Sequence, residues 1–152
     1  MKIAIGSDHG GYELKEVIKA FLAEEKIEVV DMGTHRPESV DYPFFGQLVA
    51  ETVASKECDR GIAICGTGVG ISIAVNKVPG IRGSLCTNEY MAEMTRRHND
   101  SNVLILGGRV LGVDLAKNIV KVWLQTEFEG GRHQKRIDMI RDIEKKYSKW
   151  ID

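Results

Sequence analysis

Residues 62–70 read Ile-Ala-Ile-Cys-Gly-Thr-Gly-Val-Gly, an apolar run that ends at a cysteine and enters a loop with three glycines. Residues 71–75 then read as the start of a helix. A buried strand, a glycine-rich turn and a helix N-terminus form a common anion site, because glycine permits close approach and free N–H groups point at negative charge. The segment therefore predicts a strand–loop–helix unit of an α/β fold, with the Cys65 thiol at the entrance to an anion site.

Three common loop motifs fail at this segment. The dinucleotide fingerprint that starts at Gly66 needs glycine at position 71, and a Cys-x5-Arg phosphatase loop needs arginine there, but the residue is Ile71. The Gly-Lys-Ser/Thr ending of a P-loop is also missing. A thiol beside N–H donors is instead typical of chemistry through an oxyanion or enediolate. The alternative is that Cys65 is a buried structural residue in a tight turn, as free cysteines often are.

Length and composition narrow the class of protein. The 152 residues fit one domain, residues 1–152, and a net charge of −1 gives no reason to expect a nucleic acid or an anionic membrane as partner. Three cysteines without metal-pair or disulfide-framework spacing favour a reducing cytoplasm. We expect no signal peptide and no membrane span, because a strand-like run begins at once and no apolar stretch is long enough.

Apolar periodicity predicts five strands that alternate with helices. The strands fall near residues 2–5, 27–30, 61–64, 83–86 and 102–106, and a last helix covers about 132–147. This pattern predicts a doubly wound, Rossmann-like, five-stranded parallel sheet with helices on both faces and an extra C-terminal helix. The expected strand order is 2-1-3-4-5, which places the ligand beyond the carboxyl ends of the first and third strands.

The loops after those two strands, residues 7–11 and 65–70, carry the most reactive groups. Asp8 would accept hydrogen bonds from hydroxyls and His9 would donate to an anion; the alternative is a helix cap beside a solvated histidine. Residues 31–42 form a connection longer than usual, which often indicates a functional role.

Basic residues farther along the chain suit phosphate recognition. Arg109 ends the fifth strand, and Arg132 and Arg136 share one face of the last helix. The alternative for the pair is a solvated surface. Likewise His98, before Asn99, is either functional or only a favourable partner for the dipole of the preceding helix.

The last helix leaves the sheet, so its arginines are expected to reach the site of a neighbouring subunit. Four apolar residues near the chain end would then help to hold a dimer: Ile137, Ile140, Ile143 and Trp150.

The chain as a whole resembles the type B ribose-5-phosphate isomerases of the ribose/galactose isomerase family. The resemblance spans essentially the whole sequence and is carried by six segments in order. They are Gly6-Ser7-Asp8-His9-Gly10-Gly11 with Lys15, Asp41-Tyr42-Pro43, Cys65-Gly66-Thr67-Gly68-Val69-Gly70, Asn76-Lys77, His98-Asn99-Asp100 and Gly107-Gly108-Arg109.

The resemblance implies an aldose-ketose isomerase that interconverts D-ribose 5-phosphate and D-ribulose 5-phosphate in the pentose phosphate pathway, without metal or cofactor. It also implies a small-molecule sugar phosphate as ligand and a homodimer with active sites shared between subunits; a tetramer is left open.

The resemblance also implies roles for individual residues. Cys65 would be the base that moves a proton between C2 and C1, Thr67 would assist proton exchange at the sugar oxygens, and His98 would help open the furanose ring. Some relatives carry a glutamate at position 71; Ile71 places this chain with the cysteine-base members. The implied substrate contacts are Asp8, His9, Tyr42, Gly66, Gly68, Val69, Gly70, Asn99, Arg109, Arg132 and Arg136.

Two other functions remain open. One is isomerisation of a six-carbon aldose or its phosphate, of the allose or galactose 6-phosphate type, which needs a roomier pocket. The other is a non-catalytic module that binds a nucleotide or phosphate, for which Cys65 would be dispensable.

Overall fold

Five parallel strands form a single sheet in the order β2-β1-β3-β5-β4, in a computed structural model that describes residues 1–148. Trp150, predicted to help hold a dimer, lies outside the described residues. The strands are β1 (Lys2–Ser7), β2 (Glu28–Asp31), β3 (Arg60–Cys65), β4 (Gly83–Leu85) and β5 (Val103–Gly107).

Helices cover both faces of the sheet, as predicted. They are α1 (Tyr12–Glu24), α2 (Tyr42–Ala54), α3 (Val69–Val75), α4 (Glu89–Asn99), α5 (Val113–Gln125) and α6 (Arg132–Tyr147). One apolar core packs the sheet against α1, α4 and α5, and a second packs the other face against α2 and α3. The predicted doubly wound, five-stranded parallel fold with an extra C-terminal helix is therefore confirmed.

The predicted order of the last two strands is wrong. Strand β5 lies beside β3, and β4 takes the edge. All five side-chain positions of β5 are buried, whereas β4 is three residues long and only half-buried. A central position in a parallel sheet is covered on both faces and favours the more apolar strand. The winding still reverses between β1 and β3, so the predicted place of the ligand site does not change.

Local sequence signals set several helix boundaries. Asparagine is a favoured helix cap, and the Asn88 side chain caps α4 by accepting a hydrogen bond from the Met91 N–H at 2.9 Å. Pro43 lies in the first turn of α2, where proline is favoured because its missing N–H is not needed. Within residues 1–148, every helix is too short or too polar to span a bilayer.

The C-terminal helix α6 packs on its own chain through one face only. Ile137 is buried at 3% exposure, so it is unavailable for the subunit contact predicted for it. Ile140 and Ile143 are 50% and 60% exposed, beside the exposed Met139. An apolar strip on a helix that already has one packed face is typical of a protein–protein contact.

A buried ion-pair network fixes the carboxyl end of β2. The ammonium group of Lys15 is fully buried and contacts both carboxylate oxygens of Asp31, at 2.9 and 2.7 Å. Lys19 also donates to Asp31 at 2.7 Å, and Asp31 accepts from the Gly33 N–H at 2.9 Å. Because the Gly33 carbonyl accepts from the Ser7 N–H at 2.7 Å, the network ties the long loop after β2 to the end of β1.

This network makes stability depend on acid pH. Burial alone would raise the pKa of Asp31, but the hydrogen bonds from Lys15, Lys19 and the Gly33 N–H outweigh it and hold the pKa below its ordinary value of 3.8. A carboxyl with a lowered folded-state pKa adds stability above its unfolded pKa and loses it as the pH falls through the folded value. We expect the free energy of unfolding to decline below about pH 4, measured by urea titration. In Asp31→Asn, the part of this decline that comes from protonation of Asp31 should be missing. If the free energy of unfolding of the variant depends on pH as that of the unaltered protein does, Asp31 is not the cause of the decline.

Candidate active site

Three loops meet at the carboxyl ends of the central strands, and their backbones touch. A Cβ atom added to Gly10 would lie 2.9 Å from the Gly66 nitrogen, and one added to Gly108 would lie 2.7 Å from the Gly10 carbonyl oxygen. The Gly108 N–H also donates to the Cys65 carbonyl at 2.8 Å. Glycine is required here because no side chain fits between the loops. The contacts bring the loops after β1, β3 and β5 into one site.

Cys65 is the last residue of β3, at the centre of this edge. Its side chain is buried at 4% exposure, and the sulfur accepts a hydrogen bond from the Gly68 N–H at 3.1 Å. Gly68 adopts a φ of +82°, which turns its N–H back towards the sulfur and starts α3. A backbone donor aimed at the sulfur stabilises negative charge there, so the geometry suits a thiolate base.

The loop between Cys65 and α3 presents further donors. The Thr67 side chain is exposed and its hydroxyl oxygen accepts from the Val69 N–H at 3.2 Å. Across residues 1–148, the N–H groups of Gly66 and Thr67 have no acceptor in the chain. Unpaired N–H groups next to a base are the arrangement that stabilises a developing oxyanion.

Asp8 and His9 follow β1 at the same edge. Asp8 is 6% exposed and accepts from the Gly11 N–H through Oδ1 at 3.1 Å. The His9 Nδ1 lies 3.1 Å from the Val40 nitrogen and 3.2 Å from the Val40 carbonyl oxygen. The Val40 backbone therefore holds the ring through Nδ1, and Nε2 is the nitrogen that can meet a ligand. Sequence reasoning missed Val40, since nothing local signals a backbone partner 31 residues away.

A cavity of about 290 Å³ opens beside His9. Its lining includes His9, Gly10, Pro37 and Arg109. The Arg109 guanidinium lies above the glycine loop, 3.3 Å from where a Cβ of Gly66 would stand. The backbone N–H of Arg109 donates to the Gly66 carbonyl at 2.9 Å. An imidazole and a guanidinium at one cavity provide donors for a phosphate group.

Tyr42 closes another side of the site. A Cβ added to Gly70 would lie 2.7 Å from its ring, so the ring packs directly over the first turn of α3. The side chain remains 39% exposed and can contact a ligand above the glycine loop. Ten of the predicted site residues therefore gather at one edge: Asp8, His9, Tyr42, Cys65, Gly66, Thr67, Gly68, Val69, Gly70 and Arg109.

The other four predicted residues lie at the opposite edge of the sheet: His98, Asn99, Arg132 and Arg136. Helix α4 runs back from the carboxyl edge and ends at Asn99, whose carbonyl accepts from Arg82, one residue before β4 begins. The register pairs Gly61 with Val103 and Cys65 with Gly107, so the edge where β5 begins is about 13 Å from Cys65 along the strands. These residues cannot complete the site of their own chain.

At that second edge, His98 is part of a small cluster. Its ring stacks on that of His133, with centroids 4.3 Å apart and planes 13° apart. The His133 Nε2 lies 3.3 Å from a carboxylate oxygen of Glu129. The sequence predicts a role for neither His133 nor Glu129; their i,i+4 spacing is the one local signal that they meet.

These three groups have atoms within 4.8 Å of one another, as a metal site would. Zinc needs lone pairs that converge on one point about 2.0–2.1 Å from each imidazole nitrogen. The stacked rings of His98 and His133 instead direct their lone pairs along nearly parallel planes. The cluster as it stands favours ring stacking over metal ligation.

The three cysteines are unpaired and occupy different environments. Burial raises the pKa of Cys86 to about 12, and burial likewise raises the pKa of Cys58. Both therefore remain protonated thiols near neutral pH. Of the three, Cys65 alone lies in the glycine loop with a backbone donor at its sulfur.

Comparison with known proteins places this geometry in a family. The model of the ribose/galactose isomerase family matches residues 3–140. The chain is 53% identical over 145 residues to ribose-5-phosphate isomerase B of Escherichia coli. The alignment covers 95% of this chain and 97% of that relative.

Solved structures give the same result. The structure of Clostridium thermocellum ribose-5-phosphate isomerase B matches with a TM-score of 0.96 and 65% identity, covering 97% of this chain and 99% of that one. The structure of Mycoplasma genitalium ribose-5-phosphate isomerase B with bound ribulose-5-phosphate matches with a TM-score of 0.91 and 43% identity. This match covers 95% of this chain and 96% of that one.

The doubly wound sheet and the thiol-bearing glycine loop at its switch point define an α/β protein with a ligand site beyond the strand ends. The matches make the class specific: the chain belongs to the ribose/galactose isomerase family.

Proposed function

We propose that the protein is an aldose-ketose isomerase that interconverts D-ribose 5-phosphate and D-ribulose 5-phosphate, a reaction of the pentose phosphate pathway. The observation that carries the proposal is the backbone donor at the Cys65 sulfur, in a glycine loop whose Gly66 lies against Gly10, next to His9, and against the Arg109 side chain. The relatives that bear this activity in their names cover nearly the whole chain.

The reaction is a proton transfer between neighbouring carbons. The Cys65 thiolate takes the proton from C2 of the open-chain aldose, and the electrons form an enediolate whose charge lies near the Gly66 and Thr67 N–H groups. The thiol then returns a proton to C1, which gives the ketose. Thr67 exchanges the proton between O1 and O2, and Asp8 accepts from a sugar hydroxyl. Because the phosphate lies far from C1 and C2, its binding by His9 and Arg109 orients the reacting carbons.

We propose further that two chains form a homodimer with shared sites. His98, Asn99, Arg132 and Arg136 lie at the edge opposite Cys65, so a second copy has to bring them to the site. The exposed apolar strip of Met139, Ile140 and Ile143 on α6 provides a surface for that contact. The substrate would thus be held by groups of both chains.

Residues 1–152 would form one isomerase domain that acts on a small sugar phosphate. A cytoplasmic location fits the three unpaired cysteines, since a reducing compartment keeps thiols free.

The direct test measures conversion of ribose 5-phosphate to ribulose 5-phosphate by the purified protein with EDTA present. We expect turnover that EDTA does not abolish. If the protein leaves ribose 5-phosphate unchanged but isomerises allose 6-phosphate or galactose 6-phosphate, the proposed substrate is wrong and the proposed isomerase chemistry stands. A protein inactive on all of these sugars, yet one that binds nucleotides tightly, would contradict the isomerase proposal.

The phosphate role assigned to Arg136 has a specific consequence. Arg136→Ala should raise KM for ribose 5-phosphate about ten- to hundredfold, because a charge-assisted hydrogen bond contributes about 1.5–3 kcal/mol. The kcat/KM for free D-ribose should hardly change, since that sugar has no phosphate. Lys135→Ala removes an exposed charge from the adjacent position of α6 and serves as the control. An equal loss on both sugars would argue against phosphate recognition by Arg136.

A further inference from the structure

The His98 ring has a stacking partner on another helix. His98 lies in the last turn of α4 and stacks face to face on His133, in the first turn of α6. His133 is only 5% exposed, whereas His98 is half-buried. Any large rotation of the His98 ring would lose this flat contact, so the buried histidine holds the plane of the more accessible one.

His133 is itself fixed by Glu129. The His133 Nε2 lies 3.3 Å from Glu129 Oε2, and Glu129 Oε1 accepts from the Arg97 guanidinium at 3.3 Å. The Glu129 N–H donates to the Arg97 carbonyl at 3.1 Å. Backbone and side chain together thus tie the segment before α6 to the last turn of α4, one residue before His98. These contacts connect the stacking partner of His98 to the end of α4.

We propose that His133 is a positioning residue for the opening of the furanose ring: it holds the His98 imidazole in the plane from which that ring meets the sugar. This inference rests on the proposed function and on the role of His98 within it. Ring opening breaks the bond between C1 and O4, places a proton from His98 on O4 and releases the proton of the C1 hydroxyl to solvent. A donor works only within hydrogen-bond distance and along its N–H direction, so the orientation of the imidazole plane limits this step.

The chemistry of the two sugars separates ring opening from proton transfer at carbon. Ribose 5-phosphate closes through O4 and must be opened before Cys65 can act. Ribulose 5-phosphate cannot close a five-membered ring, because the O5 that would close it carries the phosphate. Exchange of its C1 hydrogen with solvent deuterium therefore needs Cys65 but needs no ring opening.

The experiment compares both reactions for His133→Ala, for His133→Phe, which retains a flat ring, and for Gln134→Ala, an exposed neighbour on α6. We expect His133→Ala to lower kcat for ribose 5-phosphate about tenfold with little change in KM, while C1 exchange in ribulose 5-phosphate stays within about twofold. His133→Phe should recover most of the lost kcat, and Gln134→Ala should match the unaltered protein. Retained exchange also shows that the variant is folded and its Cys65 site assembled.

Three results would overturn the positioning role. The first is an equal loss of both reactions in His133→Ala, and the second is a His133→Phe variant as impaired as His133→Ala on ribose 5-phosphate. The third is unchanged turnover of ribose 5-phosphate in His133→Ala. Failure of the proposed function is distinct, because then the unaltered protein itself would convert no ribose 5-phosphate.

Discussion

Replacement of Cys65 by alanine is expected to lower kcat for ribose 5-phosphate about a thousandfold, since a positioned general base typically contributes a factor of about 10²–10⁴. The Gly68 N–H loses its acceptor, but the loop keeps the backbone contacts that join it to the loops after β1 and β5. KM should therefore change little. Steady-state assays on the purified variant measure kcat and KM, and circular dichroism checks that the variant is folded.

Cys58→Ala and Cys86→Ala are the matched controls. Each removes one buried thiol, but neither sulfur lies in the glycine loop, and burial raises the pKa of both thiols. We expect both variants to retain kcat within about twofold. A Cys65→Ala variant that keeps more than about a tenth of the activity would show that another group takes the C2 proton.

The largest expected effect on stability comes from Asp31→Asn. The substitution leaves the fully buried Lys15 ammonium with only the half-exposed carboxylate of Glu16. Removal of one partner from a buried ion pair costs about 3–5 kcal/mol, because the remaining charge stays desolvated. Urea unfolding at neutral pH should report a loss of this size in the free energy of unfolding.

Two further variants separate the charge effect from packing. Lys15→Met combined with Asp31→Asn removes the buried charge while keeping a long side chain, and we expect it to recover much of the loss. Glu28→Gln breaks the exposed contact with Lys2, 3.8 Å long, and should cost less than about 1 kcal/mol. A double variant as unstable as Asp31→Asn would mean that the cost arises elsewhere, for example in the lost Gly33 contact.

Local signals in the sequence were enough to predict most of the fold. The cap at Asn88, Pro43 in the first turn of α2 and the glycine loop after Cys65 each act within a few residues, so the sequence displays them directly. The places of β4 and β5 in the sheet depend on which strand buries both faces. Strand β5 is the more apolar of the two, which favours it for the centre, but the order of the strands along the chain predicts the opposite arrangement, and only the folded chain shows β5 beside β3.

The residues predicted for the site divide between the two edges of the sheet. Those in the loops after β1, β3 and β5 meet because parallel strands end at the same edge, whereas Tyr42 begins α2 and was indicated only by the resemblance to the family. For Arg132 and Arg136, the sequence already suggested a partner subunit, because α6 leaves the sheet. It gave no such hint for His98, since the direction in which α4 returns across the sheet is a tertiary property. The stacking of His98 on His133 joins two helices, so it too is a tertiary contact that the sequence does not predict.

The shared site is the central claim, and subunit complementation tests it most directly. Cys65→Ala and His98→Asn are each prepared as nearly inactive proteins, then unfolded together and refolded as a mixture. In a mixed dimer, one site receives Cys65 from the His98→Asn chain and His98 from the Cys65→Ala chain, and so is intact. Random pairing should restore about a quarter of the unaltered activity. Activity no higher than that of the two parents refolded separately, in a mixture shown to contain mixed dimers, would contradict a site built from two chains.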